Sequence, residues 1–528
     1  MKTINKYILV LGLIALVGCS NDYLNTEPVT ELTENNFYQT PEDAWTALVG
    51  CYDGLQVATG SNAEGFYTIS EVMSDDCFGG TGNSDGFGYQ AMDEFDFNRA
   101  PGSANLLAGA WKTYYAAMNR CNVLISKMDQ INWSGNEDLR NQYESEVKFI
   151  RAYLYFDMVR IWGNIPLLTV STAENLPQAD PSEVYTLIAE DLLFAANNLP
   201  NQTYNSVPNG RVTRWAAKSL LARVYLYYTG YYGQSDLAGL VTQGEALAHL
   251  EDVIAFSGHG LVSNFSNLWP AASLTEYAGE DNQEVVFSIK YTHTSDYDGN
   301  TDGNHWMVMF GMREFSSFPY GNGWGVTVNS KLYDLYNEND TRRTSTIIAV
   351  EEDDIPFDNQ AGQREYTGYY NKKYTPMVDE EGSSLAVLVG GTNFMIGQFQ
   401  DYFAIRYSDV LLMAAELGSG SAQAYFNQVR QRAYGDNFTP LTVNQTNLMN
   451  ERHLEFALEG IRYWDLLRQG VSVAAAEIAE STTLLNGGVE TPKNITSGNI
   501  QTTQGLSQIP NTQITLSAGV LQQNAGWQ

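Results

Sequence analysis

The chain has 528 residues, 44% of them hydrophobic, with 61 acidic against 29 basic side chains and a formal net charge of −32. So large an apolar share excludes a disordered acidic polymer, and so negative a field excludes an electrostatic footprint for nucleic acid. Four cysteines without a C-x-x-C pair exclude zinc-ribbon and thioredoxin-type chemistry.

At the N-terminus, Lys2 and Lys6 precede an apolar run from Tyr7 to Val17, too short to span a bilayer. The run ends in Leu16-Val17-Gly18-Cys19, the small-residue-then-cysteine arrangement of a lipobox. This predicts a lipoprotein signal peptide over 1–18 and a mature chain starting at an acylated Cys19, attached to the membrane by lipid alone. Cys51, Cys77 and Cys121 then remain, enough for at most one disulfide and a free thiol. Residues 19–528 read as one domain. Its helical scaffold covers about 36–260 and 400–470, flanking a loop-rich region at about 261–399 and followed by a C-terminal tail at 471–528.

Periodicity places the helices. One starts at Pro41 behind a Thr40 N-cap and runs through Ala44, Leu48 and Cys51. Residues 58–105 turn irregular, Gly-rich and aromatic. Helical spacing returns at 107–128, 137–162, 181–199, 212–230 and 243–256, and Asp180-Pro181-Ser182-Glu183 is a strong helix start. Glu284 to Tyr291 reads as a strand, 292–328 as loop, and 345–395 as short strands and acidic turns. Helices resume at 403–417, 419–433 and 445–469. In the last of these, Glu451, Glu455 and Glu459 stand four apart, as on one stripe of a rod, with Gly470 as its stop.

Catalytic patterns are missing. The five histidines form no H-E-x-x-H, and the sequence carries no G-x-S-x-G and no P-loop. Asp75-Asp76 are neighbours and cannot flank a sugar from opposite sides, so they read as a solvated turn. Asp296, Asp298, Asn300 and Asp302 alternate as calcium ligands do. However, Thr301 occupies the position where a calcium loop needs glycine, and Met307 the position where it needs glutamate, which leaves no metal ligand assigned. Binding is better supported, because aromatic rings in Gly-rich loops can stack on sugar faces. Phe87 and Tyr89 in the first irregular segment, with Trp306, Tyr320 and Trp324 in the second, are the candidate ligand platform.

Several stretches resemble one family. Glu451-Arg452-x-x-Glu455-Phe456-x-x-Glu459-Gly460-x-Arg462-Tyr463-Trp464-Asp465-Leu466-x-Arg468 is similar to the most constant element of the SusD/RagB lipoproteins. Further matches are the 146–167 segment, Ile405-Arg406-Tyr407-Ser408-Asp409-Val410-Leu411-Leu412, Asn427-x-x-Arg430-x-Arg432-Ala433, and a tail from Ile509-Pro510 to Gln523-Asn524-Ala525-Gly526. The resemblance implies a mainly α fold, a SusD-like α/α superhelix of tetratricopeptide-type helix pairs with an irregular, short-strand region. It also implies a non-enzymatic lipoprotein on the outward face of the outer membrane that passes an oligosaccharide to a SusC-like TonB-dependent transporter. A peptide ligand remains open, as does a lipid-anchored glycoside hydrolase.

Overall fold

A computed structural model describes residues 37–528, so the predicted signal peptide, the lipobox and Cys19 lie outside the described residues. The first long helix, α1 (Pro41–Gly60), begins where the sequence says it must. Thr40 accepts from the Asp43 amide, and Asp43 reaches back to the Thr40 amide, a complete capping box. Two short helices, α2 (Phe66–Val72) and α3 (Gly88–Asp93), interrupt the Gly-rich segment. The scaffold continues through α4 (Ala108–Lys127), α5 (Glu137–Trp162), α6 (Pro181–Asn198), α7 (Arg214–Tyr232) and α8 (Gln243–Phe256). Asp180 caps α6 through the Ser182 amide, Thr242 and Glu245 box α8, and the left-handed Gly233 ends α7. Neighbours pack in sequence, α1 on α4, α4 on α5, α5 on α6, α6 on α7 and α7 on α8, so the protein is mainly α.

Three thiols, Cys51, Cys77 and Cys121, are free and buried. The sequence allowed at most one disulfide, and none forms among these three, although Cys121 on α4 lies near Cys51 on α1.

Two helix predictions need correction. The stretch predicted as one helix at 403–417 is a strand, Tyr402–Arg406, followed by α9 (Tyr407–Glu416). The strand pairs antiparallel with Val285–Ile289, and its five residues are all buried, so an aromatic and β-branched run wins over helical spacing. The predicted rod at 445–469 is broken. After α10 (Ala422–Tyr434), α11 (Gln445–Phe456) ends, and α12 (Arg462–Arg468) starts afresh. Between them Leu458 and Gly460 take left-handed backbone, with φ of 62° and 73°. A Cβ on Gly460 would lie 2.8 Å from the Tyr402 hydroxyl, so only glycine fits. Side chains from elsewhere satisfy the freed backbone. Tyr67 donates to Leu458 O at 2.7 Å, Tyr402 donates to Glu459 O at 2.9 Å, and the Gly460 amide donates to Glu71 at 2.5 Å.

The break has an electrostatic purpose, because it turns Glu459 off the α11 rod toward Arg406. That arginine, 1% exposed in its side chain, meets Glu284 at 2.5 Å, Glu455 at 2.8 Å and Glu459 at 2.7 Å. Arg432 bridges Glu284 and Glu455, Arg342 joins Asp340, Glu451 and Glu455, Lys373 holds Glu459 at 2.6 Å, and Arg430 holds Glu451. Five cations thus face five anions. Burial raises the pKa of Glu455, but Arg432, Arg406 and Arg342 override it and hold the carboxyl well below its usual range. Asp409, beside Arg452 and Arg223, and Asp465, beside Arg452 and Arg468, are lowered in the same way.

The tail predicted at 471–528 is structured. It carries a hairpin of Glu480–Asn486 and Val489–Ile495, turned by Gly487 and Gly488, both at positive φ. Asn486-Gly487-Gly488 is the turn signal for it in the sequence.

Arg406→Met should cost about 3–5 kcal/mol in urea unfolding, because three carboxylates lose a buried partner; a loss under about 1 kcal/mol would contradict this network. The lowered carboxylates also fix the acid limb. Their contribution is complete above about pH 4, the ordinary carboxylate range, and is lost as pH falls below it. Asp157 works the other way. Burial lifts it to about 6 despite Arg160, so protonating it favours the fold as pH falls through that value. Near-UV circular dichroism should therefore hold to about pH 4 and collapse between about 4 and 2. Collapse beginning near pH 6 would refute the sign.

Candidate functional site

The five candidate rings separate into two groups. Trp306 is 1% exposed and stacks on Tyr67 with ring centroids 3.8 Å apart, boxed edge-on by Tyr374 and Tyr402. It is a core anchor and cannot meet a ligand. Tyr89 is also buried, its hydroxyl donating to Glu64 at 3.1 Å. Tyr320 is buried over a small second core with Met312, Phe315 and Phe357, and Lys372 lies against its ring. These three are corrected from platform to core. Phe66, Tyr67, Phe78, Tyr291 and Phe310 are buried as well.

Phe87 and Trp324 remain. Phe87 is 43% exposed and precedes α3; Trp324 is half-buried. A chain of contacts joins them although 237 positions separate them in sequence (324 − 87). The Arg313 guanidinium lies 5.4 Å from the Trp324 ring and donates to Asp85 at 2.9 Å. Arg364 donates to the Asp85 carbonyl at 2.6 Å and to Gly86 O at 2.9 Å, and its guanidinium sits 4.1 Å over the Phe87 ring. On the same ring Arg99 lies at 4.9 Å. A Cβ on Gly82 would fall 2.2 Å from Arg313 Cζ, so a bare glycine lets that guanidinium lie against the loop.

Neighbouring segments hold this loop. Asn83 donates to Ala361 O at 2.6 Å, its amide donates to Gly362 O at 3.2 Å, and Gly82 bridges Gln363. Met312–Arg313 pairs with Asn322–Gly323, which fixes Arg313 relative to Trp324. The hairpin turn closes the other side, with Gly487 donating to Gln363 O at 2.8 Å. The hairpin lines a cleft of about 500 Å³ with Tyr366, Tyr369, Glu351 and Glu352. The sequence reading missed the three arginines. Their available signal was simply being cations on irregular segments of a strongly acidic chain.

The remaining chemical candidates are engaged elsewhere. Asp75 and Asp76 are not a solvated turn. Asp75 forms a bidentate pair with Arg462 at 2.8 and 2.6 Å, and Asp76 takes His453 at 2.6 Å. Burial raises the Asp75 carboxyl, yet Arg462 prevails and holds it at about 2. With His453 these two are the only convergent group of three potential metal-ligating side chains (His, Cys, Asp or Glu) among the described residues. In the 296–302 loop, Asp296 Oδ1 accepts from the amides of Asp298 at 2.8 Å and Asn300 at 3.1 Å, a self-capped turn. No helix among the described residues is long and apolar enough to cross a membrane.

Known proteins show the same architecture. A family model described as the SusD family matches residues 352–527, and one described as starch-binding associating with outer membrane matches 68–226. SusD-like protein P2 of Formosa agariphila is 27% identical over 499 residues, covering 88% of this chain and 90% of that protein. The solved structure of a laminarin binding SusD-like protein superposes with a TM-score of 0.71 at 28% identity, over 92% of this chain and 99% of that one. Surface glycan-binding protein A from Bacteroides fluxus reaches a TM-score of 0.75 at 24% identity, with coverage of 92% and 99%.

Trp306→Ala should behave as a core deletion, costing about 3–5 kcal/mol of stability. Chemical denaturation checks it, and an unchanged midpoint would return Trp306 to the list of surface platforms.

Proposed function

The chain belongs to the SusD/RagB family, and on that basis we propose that it is a lipid-anchored, non-enzymatic glycan-binding protein of the outer-membrane surface. In this reading it captures an oligosaccharide and delivers it to a SusC-like TonB-dependent transporter. The observation that carries the reading is the Phe87–Trp324 patch, two accessible rings held apart on loops that a rigid helical scaffold fixes. Flat rings take up sugar C–H faces, while the Asn83, Asp85 and arginine groups between them supply hydrogen bonds for hydroxyls. The relatives whose names state a ligand name a glycan, laminarin or starch, which favours sugar over peptide.

Hydrolysis finds no support at the patch. Asp85 is its central carboxylate, and both Arg313 and the Gly82 amide occupy Oδ2. A glycosidase needs a second carboxyl group across the scissile bond, one acting as acid and the other as base or nucleophile. Anchoring through Cys19 follows from the lipobox, and the transporter partner follows from the family.

Titration calorimetry of the purified chain against oligosaccharides of different backbone chemistry tests capture. Saturable heat from one class is expected, whereas sustained heat proportional to protein concentration would mean turnover and overturn the binding reading. Phe87→Ala and Trp324→Ala should each weaken that binding by about 1–3 kcal/mol with the melting temperature unchanged. If both variants bind as the parent does, the patch is not the site.

A further inference from the structure

Arg364 is 6% exposed, yet its hydrogen bonds go to neutral oxygens: Gly82 O at 3.1 Å, Thr81 Oγ1 at 3.0 Å, and the carbonyls of Asp85 and Gly86. Among the described residues no carboxylate is a hydrogen-bond partner of Arg364, and Nη1 has no partner there. This contrasts with the other deeply buried arginines: Arg342, Arg406, Arg432 and Arg452 each meet two or more carboxylates, and Arg151 and Arg160 meet one each. In a chain with 61 acidic side chains, a buried guanidinium without one is a conspicuous omission. It is also costly, because the cation has lost water and gained no counter-charge.

The neighbours make the local field more positive. Arg99 shares the Phe87 ring with Arg364, and its one acidic partner among the described residues, Glu94 at 3.6 Å, is also taken by Lys493 at 2.9 Å. Arg313 stands beyond Asp85, which it neutralises. Burial lowers the Arg364 pKa from the usual arginine value; Asp85 and Glu365 oppose that, and Arg99 and Arg313 add to it. Two guanidinium groups thus share one exposed ring, with a third beyond Asp85.

We propose that this patch selects glycans bearing an anionic group, a sugar carboxylate or a sulfate ester, whose oxygens pair with Arg364 and Arg99 while the ring of the sugar lies on Phe87. This inference rests on the glycan-binding reading and deepens it. A planar or tripodal oxyanion at the Phe87 face supplies the counter-charge that this cluster lacks, which a neutral hydroxyl cannot do. The local cluster is also what an anionic ligand needs on a protein whose overall charge repels it.

The test is calorimetry of the purified chain with four oligosaccharides of equal length: a neutral glucan, a galacturonan, a glucuronan and a sulfated galactan. At least one anionic ligand should bind roughly ten-fold or more tighter than the neutral one and weaken roughly ten-fold between low and high salt. The uronan and sulfate arms distinguish the two oxyanions. Arg99→Gln, an exposed position, and Arg364→Lys, which keeps the charge but removes the fork, should each reduce that affinity by about ten-fold. The exposed variant keeps the test decisive if the buried one misfolds. Equal binding of the neutral glucan, indifferent to salt and to Arg99→Gln, overturns the anionic inference and leaves glycan capture standing. Anion binding untouched by both variants places the anion elsewhere and also overturns it. Binding of none of the four overturns the glycan reading together with this inference.

Discussion

The structure depends on a buried array of five cations and five carboxylates centred on Arg406. No single element supplies it. The carboxylates come from Glu284 just before the 285–289 strand, from Asp340, from α11 and from the turn beyond it, and the cations come from the 402–406 strand, α10 and the segments around 342 and 373. Burying so many charges costs several kcal/mol each unless every one is matched, so the array tolerates few alternative arrangements. Its role is to specify one packing of the C-terminal helices against the middle of the chain, and the break at Leu458–Gly460 is the backbone's contribution to that match.

From this centre the constraint reaches the candidate site in two steps. Lys373 and Asn371 place the 369–374 segment, with Asn371 donating to Tyr67 at 2.8 Å and Tyr67 stacking on Trp306. Trp306 opens the short helical turn that precedes Met312–Arg313, and that pair sets Trp324 and Arg313. The exposed rings are therefore positioned by buried ones, and the arginines that should bind ligand by arginines that cannot. The sequence pattern shared with the family lies in the buried array, whereas the patch lies on loops outside it.

Much of the helical scaffold was legible because caps are local chemistry. Thr40 with Asp43, Asp180 before Pro181 and Thr242 with Glu245 each mark a start that needs no tertiary information. The break before α12 was illegible for the opposite reason. Leu454, Leu458 and Ile461 keep helical spacing through it, and only the distant Tyr67, Tyr402 and Glu71 make a left-handed turn cheaper than another turn of helix. The site was half legible. Gly neighbours pointed to Phe87 and Trp324, but the same cue marked Tyr89, Trp306 and Tyr320. A ring that closes a loop onto the core looks identical in sequence to a ring that the loop presents. The arginines could have been found by asking where an acid-rich chain places basic residues on irregular backbone.

The central claim is that glycan is held at the loops carrying Phe87 and Trp324. Hydrogen–deuterium exchange of the purified chain, with and without a saturating oligosaccharide identified by calorimetry, tests it most directly. The account predicts slowed exchange at 81–87, 311–325 and 361–364, with the buried array unchanged because it is already protected. Protection confined to the 500 Å³ cleft beside Tyr369, or to the helical scaffold, would contradict it.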